Sequence, residues 1–390
     1  MLEIMKKLKI MKKQKMKMNL NKSIKNYIYL GSEPSHKRLK KFQTSKPKSK
    51  KRIFLFNIIK FFLVQVLIYI LYKFKIYHKP KKINFEKYSI QNSLQHDYEN
   101  NSFLILSHIC QGCGLLSHYN KLLSCLANIV NQGRIPIVNL IRFPNIFNGY
   151  NESSLSLDQN PWEYFFKQPF NYTLKGVKTY AKNYKNYECC AYKRPSSDVI
   201  FDNKFYMYYW NNLYKTYFPI RDEIINEADN IRKKLFKKSE NVLGIFLRGT
   251  DFLAIKPKKH YIQPEPEYVF NDVDKFDEEN NYDYYFLVTE DYLIRNKFID
   301  RYKNKLKYLD TDLNFNYNYT GKDYTGNENV LANNKNVNGN MKLMKDYIIN
   351  IIILSKCIDI ICGRANGSVM AFIITKGFRN VKAYNLGKYK

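Results

Sequence analysis

Acidic side chains are nearly missing from the first 82 residues, where 24 Lys and Arg stand against only Glu3 and Glu33. This stretch supplies +22 of the chain's formal +31 and leaves +9 for the other 308 residues, an ordinary mildly basic body. The basic stretch also lacks the aromatic platform and motifs of an RNA-binding module, so no nucleic-acid partner is expected. A second cysteine pair at zinc spacing is missing too. Cys110 and Cys113 form C-x-x-C, but a structural zinc needs four ligands, and the adjacent Cys189 and Cys190 cannot readily complete a tetrahedron with them. Seven cysteines in 390 residues do not make a small secreted disulfide framework, so buried thiols are the default and no metal is expected. The third glycine of a dinucleotide fingerprint is absent as well: Gly112 and Gly114 give only G-x-G, with no acid at the end of the next strand. Those glycines mark a close backbone approach instead.

What is present divides the chain into five parts. Residues 1–52 read as a disordered basic tail, with Gly31, Pro34 and Pro47 breaking any helix. Ile53 to Tyr72 is a twenty-residue apolar run with a single charge, Lys60, and the membrane segment is placed at 53–75. Its length matches a bilayer crossing. Asn57, Lys60 and Gln65 fall on one arc, so a helix lying in the interface competes with one that spans. Basic flanks on both sides leave the orientation open and point to anionic lipids as partners of residues 1–82. The body is therefore expected to be membrane-associated, on the cytoplasmic side if the protein is bacterial. Residues 76–101 read as a polar linker, and the remaining length accommodates two domains, 102–221 and 222–390.

In the first domain, Ser102 to Ser107 is an apolar strand and Leu115 to Asn131 has helical spacing stopped by Gly133. Ile135 to Leu140 is a second strand, completing the β-loop-α-β grammar of a parallel sheet. Residues 144–219 are irregular and rich in aromatics, and the rings, Trp162 included, read as core. In the second domain, helices are expected over Asp222–Phe236, 266–279, Tyr292–Tyr302, Met341–Ser355 and onward from Val369. Strands are expected at Val242–Phe246, Asp283–Thr289, Leu306–Leu309 and Cys357–Cys362, with a long polar loop over 310–340.

Three strand ends of this second domain carry polar turns. Arg248-Gly249-Thr250-Asp251 sets a cation and a carboxylate at the end of one strand, where open α/β folds bind ligands. An arginine's planar fork suits phosphate oxygens there. Glu290-Asp291 ends the next strand and suits a ribose or base. Gly363 to Ser368 leads into a helix whose N-terminus favours a diphosphate, although Asn366 and Ser368 also fit as plain N-caps.

The strings LGIFLRGTDF, KPKKHYIQP, FLVTED and CGRANGSVMAFI, in that order, resemble the successive motifs of the fucosyltransferase superfamily. The first-half ICQGCGLLSHYNKLLSCLANIVNQGRIPIVNL is similar to its glycine loop and helix, and NPWEYFFKQP and the R-G-T-D ending resemble its bacterial branch. The likeness covers about residues 100–390. It implies a GT-B-like fold, two Rossmann-like domains facing a cleft, and metal-independent transfer of fucose from GDP-fucose to a glycan acceptor with inversion. It further implies that Arg248 meets the donor diphosphate, that Glu290 and Asp291 lie near the nucleoside, and that Gly112, Gly114, Asn366, Gly367 and Ser368 belong to the donor site. Asp251 and His260 are the candidates for the acceptor's base. Two positions depart from the pattern: Phe246 stands where a histidine is common, and Gly249 where a second arginine is frequent. The lost cation favours one alternative, a membrane-tethered glycan-binding protein without catalysis.

Overall fold

The computed structural model describes residues 95–110, 113–129, 132–149, 155–189, 195, 197–237, 239–249, 252, 256, 258–310 and 337–390. The basic tail, the 53–75 segment and most of the 76–101 linker lie outside the described residues. Among the described residues, no helix is long and apolar enough to cross a membrane.

The architecture is mixed α/β, with two fully parallel sheets. The first has the order β2-β1-β3, with β1 Ser102–Ser107, β2 Ile135–Val138 and β3 Asn183–Glu188. The second has the order β6-β5-β4-β7-β8, with β4 Val242–Phe246, β5 Tyr284–Val288, β6 Leu306–Lys307, β7 Asp359–Cys362 and β8 Val381–Ala383. Parallel strands need crossovers, and helices supply them. Leu115–Ile129 (α2) follows β1, Pro266–Asn280 (α7) follows β4, Tyr292–Tyr302 (α8) follows β5, Val337–Leu354 (α9) precedes β7 and Asn366–Ile374 (α10) follows it. The apolar run of β4 is buried along its whole length, as a central strand covered on both faces must be.

The remaining helices are Gln95–Asn100 (α1), Pro161–Phe165 (α3), Leu174–Tyr180 (α4), Lys204–Tyr217 (α5) and Asp222–Leu235 (α6). Four of these, α1, α3, α4 and α5, depart from the sequence expectation of a linker and an irregular stretch. The linker ends in α1, because Tyr98 is buried, stacking on Phe103 and meeting Tyr172 edge-on. The aromatic stretch is not irregular. Its Met207, Trp210, Leu213, Tyr214 and Tyr217 line the buried side of α5, and its Asn183–Glu188 pairs in register with all six residues of β1. Trp162 is fully buried, stacked on Tyr119 and edge-on to Phe218, which is a core role. One continuous apolar cluster runs from Leu104 and Leu106 of the first sheet through Trp162 and Trp210 to Phe246 and Ile360 of the second and Phe372 of α10. The cysteines also depart in part from the expectation of buried thiols. Cys110 and Cys113 are joined in a disulfide, whereas Cys125, Cys189, Cys357 and Cys362 are buried thiols.

Strand order locates a crevice before any side chain is considered. From β4 the chain steps to β5 and β6 on one side, then returns to place β7 and β8 on the other. The direction reverses between β4 and β7, and such a switch point opens a crevice at the carboxyl ends of the strands. The first sheet reverses likewise between β1 and β3.

Candidate functional site at the switch point of the second sheet

β4 ends by exchanging backbone bonds with both neighbours: Leu247 N–H donates to Val288 O at 3.0 Å, and Gly363 N–H donates to Phe246 O at 3.0 Å. Arg248 is the next residue. Its Nε lies 3.1 Å from Glu290 Oε1, with the arginine side chain about a quarter exposed (27 %) and the glutamate 8 % exposed. The same carboxylate oxygen accepts the Gly249 N–H at 3.0 Å. One glutamate thus sets both the turn and the direction of the guanidinium, an arrangement that costs less entropy than orienting a long side chain unaided. The guanidinium also lies over the Phe252 ring, 5.2 Å from its centroid, and His260 meets Phe252 edge-on at 5.3 Å. Arg248 and the exposed His260 are therefore brought to the same place through one aromatic ring. Asp251 and Gly112 lie outside the described residues.

Gly249 is explained by its surroundings. A Cβ at this position would lie 2.2 Å from the Asp291 Cβ and 2.3 Å from its Oδ2, so a second arginine does not fit there. Asp291 in turn is a helix cap. Its carboxylate accepts the N–H groups of Leu293 (2.8 Å) and Ile294 (3.1 Å) at the start of α8, and it is 5 % exposed. The acidic pair that suits a ribose in sequence thus directs both carboxylates to groups of the protein, Glu290 to the arginine turn and Asp291 to a helix start.

The 363–368 turn begins α10 differently. Its N-cap is Ala365, which has no side-chain bond to the first turn. Ser368 is fully buried, and its hydroxyl donates to Gly363 O (2.7 Å) and accepts the Ala365 N–H (3.0 Å), so it braces the turn. At Gly367 a Cβ would lie 2.2 Å from the Tyr347 hydroxyl and 2.6 Å from the Phe246 ring; glycine here lets the helix start press against the end of β4. Asn366 is exposed and accepts a hydrogen bond from Asn120 of α2 at 3.1 Å, so helices belonging to the two sheets meet at this point. A helix start without a side-chain cap presents backbone N–H groups and the positive end of its dipole, which together suit an anion.

The first sheet contributes the loop after β1. Gly114 O accepts the N–H groups of Ser117 (2.9 Å) and His118 (3.3 Å), which starts α2. His118 is fully buried with its Nδ1 3.1 Å from that of His108. Burial first, and His108 second, push its pKa down to about 3, so it is neutral at physiological pH. Among the described residues, no group of three or more His, Cys, Asp and Glu side chains is placed to hold a metal ion.

Two further side chains, Arg364 and Gln263, meet at the same turn. Arg364 is 5 % exposed, donates to Tyr384 O (3.1 Å) and Ser197 O (2.5 Å), and stacks over Phe201 and Tyr261. Gln263, 3 % exposed, donates to Arg364 O at 3.2 Å and sits where a Cβ on Gly363 would meet its Oε1 at 2.1 Å. Only the clustering of polar residues within a proline-braced loop hints at Gln263.

No protein-family model matches the chain, and no curated protein sequence matches it. Solved structures similar to it include the alpha-1,6-fucosyltransferase NodZ co-crystallised with GDP, at 11 % identity and a TM-score of 0.42 over 70 % of this chain and 93 % of that one. Fucosyltransferase NodZ from Bradyrhizobium is similar at 10 % identity and a TM-score of 0.42, over 70 % of this chain and 94 % of that one. POFUT1 in complex with GDP is similar at 7 % identity and a TM-score of 0.43, over 73 % of this chain and 99 % of that one.

Proposed function

We propose that the chain is a GT-B-type glycosyltransferase that moves a sugar, with fucose from GDP-fucose as the leading choice, from a nucleoside diphosphate to a glycan hydroxyl. The observation that carries this reading is Arg248, held by Glu290 at the switch point beside the uncapped start of α10. A fixed guanidinium and a helix dipole converging on one crevice suit two negative charges a few ångströms apart, which is the charge pattern of a diphosphate.

In the proposed reaction, the acceptor oxygen attacks the anomeric carbon as the bond from that carbon to the diphosphate oxygen breaks. The electron pair leaves on the nucleoside diphosphate, where Arg248 and the α10 N-terminus stabilise the developing charge without a metal. The acceptor's proton passes to a base, with His260 and Asp251 the candidates. Glu290 orients Arg248, and Asp291 supports the turn from behind. Attachment of the body to a membrane through residues 1–82 belongs to the same reading and rests on the composition of that segment.

Replacing Arg248 with Ala tests the reading. Loss of one preorganised charge partner of the leaving group lowers kcat by about 100- to 1000-fold, while the unfolding midpoint stays within a few degrees of wild type. Undiminished turnover by the variant would sink the assignment. A glycan that binds without being turned over, in a chain that GDP does not stabilise, would establish the non-catalytic alternative.

A further inference from the structure

Residues 258–263 carry His260 but belong to no helix or sheet. They are held by a segment more than a hundred residues further along the chain. Lys259 N–H donates to Tyr389 O (2.9 Å), Tyr389 N–H donates to His260 O (2.9 Å), and Ile262 N–H donates to Gly387 O (3.1 Å). Tyr261 and Lys388 face each other as an antiparallel bridge at the centre of this ladder. Gly387, with φ of +87°, makes the bend that lets 387–389 lie along the loop.

Side chains tie this ladder to the α10 turn. Lys388 Nζ lies 4.6 Å from the Tyr261 ring centroid and the Arg364 guanidinium 5.7 Å from it. Gln263 bonds both Tyr261 O and Arg364 O. The 387–389 segment, the His260 loop and the turn entering α10 therefore form one connected unit beside Arg248.

We propose that residues 387–389 are positioning residues for His260, fixing its imidazole where it accepts the acceptor's proton. The inference rests on the transferase reading and assigns the base within it. The ladder bonds reach His260 through its own carbonyl, whereas Arg248 is held by Glu290, so breaking them shifts the imidazole first and reaches Arg248 only through the shared Phe252 ring. Misplacing a reacting group by about 1 Å costs on the order of 100-fold in rate.

The test uses the full-length chain with Tyr389→Pro, which deletes the N–H that bonds His260 O, and Gly387→Val, which opposes the positive-φ bend. Limited trypsin digestion reads the loop directly through cleavage after Lys258 and Lys259. Both variants should be cut there about tenfold faster than wild type, because local opening governs such cleavage. Unchanged cutting in both overturns the proposal, whether or not the chain transfers a sugar. In turnover, Tyr389→Pro should lower kcat about tenfold or more and leave the GDP-induced thermal shift unaltered. Combining it with His260→Ala should cost no more than His260→Ala alone, since residues acting as a unit are non-additive. Additive losses, or full activity in either single variant, also overturn it. Failure of the transferase reading is distinguished by the absence of any GDP shift in the wild-type chain.

Discussion

Two helices start at strand ends on either side of β4 in the same sheet, and they start in opposite ways. α8 follows β5 and opens with Asp291, whose buried carboxylate accepts two of its first-turn N–H groups. α10 follows β7 and opens with Ala365, which has no side chain to offer. A capped start satisfies the backbone and favours stability by about 1 kcal/mol. The α10 start has no side-chain acceptor at its N-cap, and its turn is braced instead by Ser368, whose hydroxyl accepts the Ala365 N–H. The arginine turn after β4 lies between the two, drawing its support from the α8 side through Glu290 and pressing Phe246 against Gly367 on the α10 side. One start is closed by its own carboxylate; at the other, the proposed diphosphate would supply the acceptor.

The steepest way to break this comparison is to crowd the capped side. Gly249→Arg, which would restore a second cation, drives a side chain into Asp291 and should cost about 2–3 kcal/mol in urea unfolding, the usual penalty for overpacking. A neutral outcome would mean that Asp291 is free to move away. Next comes Ala365→Asp, which installs at α10 the kind of cap that α8 already has. It should raise unfolding stability by about 1 kcal/mol yet weaken GDP binding by tenfold or more, roughly 1.4 kcal/mol by the usual conversion of affinity to free energy. Tighter GDP binding in that variant would remove the anion from the α10 start. The smallest effect expected is that of Asp291→Asn, which keeps a capping side chain and should change stability by only a few tenths of a kcal/mol, whereas Asp291→Ala should lose about 1 kcal/mol. If both instead abolished nucleotide binding, Asp291 would be a ligand contact and not a cap.

The same contrast explains what was legible in the sequence. β4, β5 and α8 are found within a residue or so of their expected bounds, because long apolar periods and a clear acidic start announce them. β3 was missed: its NYKNYE carries no apolar period, and its residues are mostly exposed although all six pair with β1. α10 starts at Asn366, three residues before its apolar run, because Ser368 and the turn hold the first residues in place. Within the site, the location of Arg248 was readable, since a cation after a buried strand in an α/β pattern is a positional signal. The direction in which Glu290 and Asp291 point was not. A carboxylate at a strand end serves a ribose, an arginine or a helix start equally well in one dimension, and Gly249 reads in sequence only as a lost cation; its crowding against Asp291 shows in three dimensions alone. The ladder between 387–389 and the His260 loop has no local signal, because its bonds join backbone groups distant in sequence.

Nucleotide-induced stabilisation tests the central claim most directly. The full-length chain and its Arg248→Ala variant are heated with GDP, UDP, CMP and GDP-fucose, each with and without EDTA. A ligand at 100 times its Kd adds about 2.7 kcal/mol to the folded state. Diphosphate binding at Arg248 gives a clear upward shift with GDP and GDP-fucose that ignores EDTA and disappears in the variant. An equal shift in the variant, or no shift with any nucleotide, contradicts it.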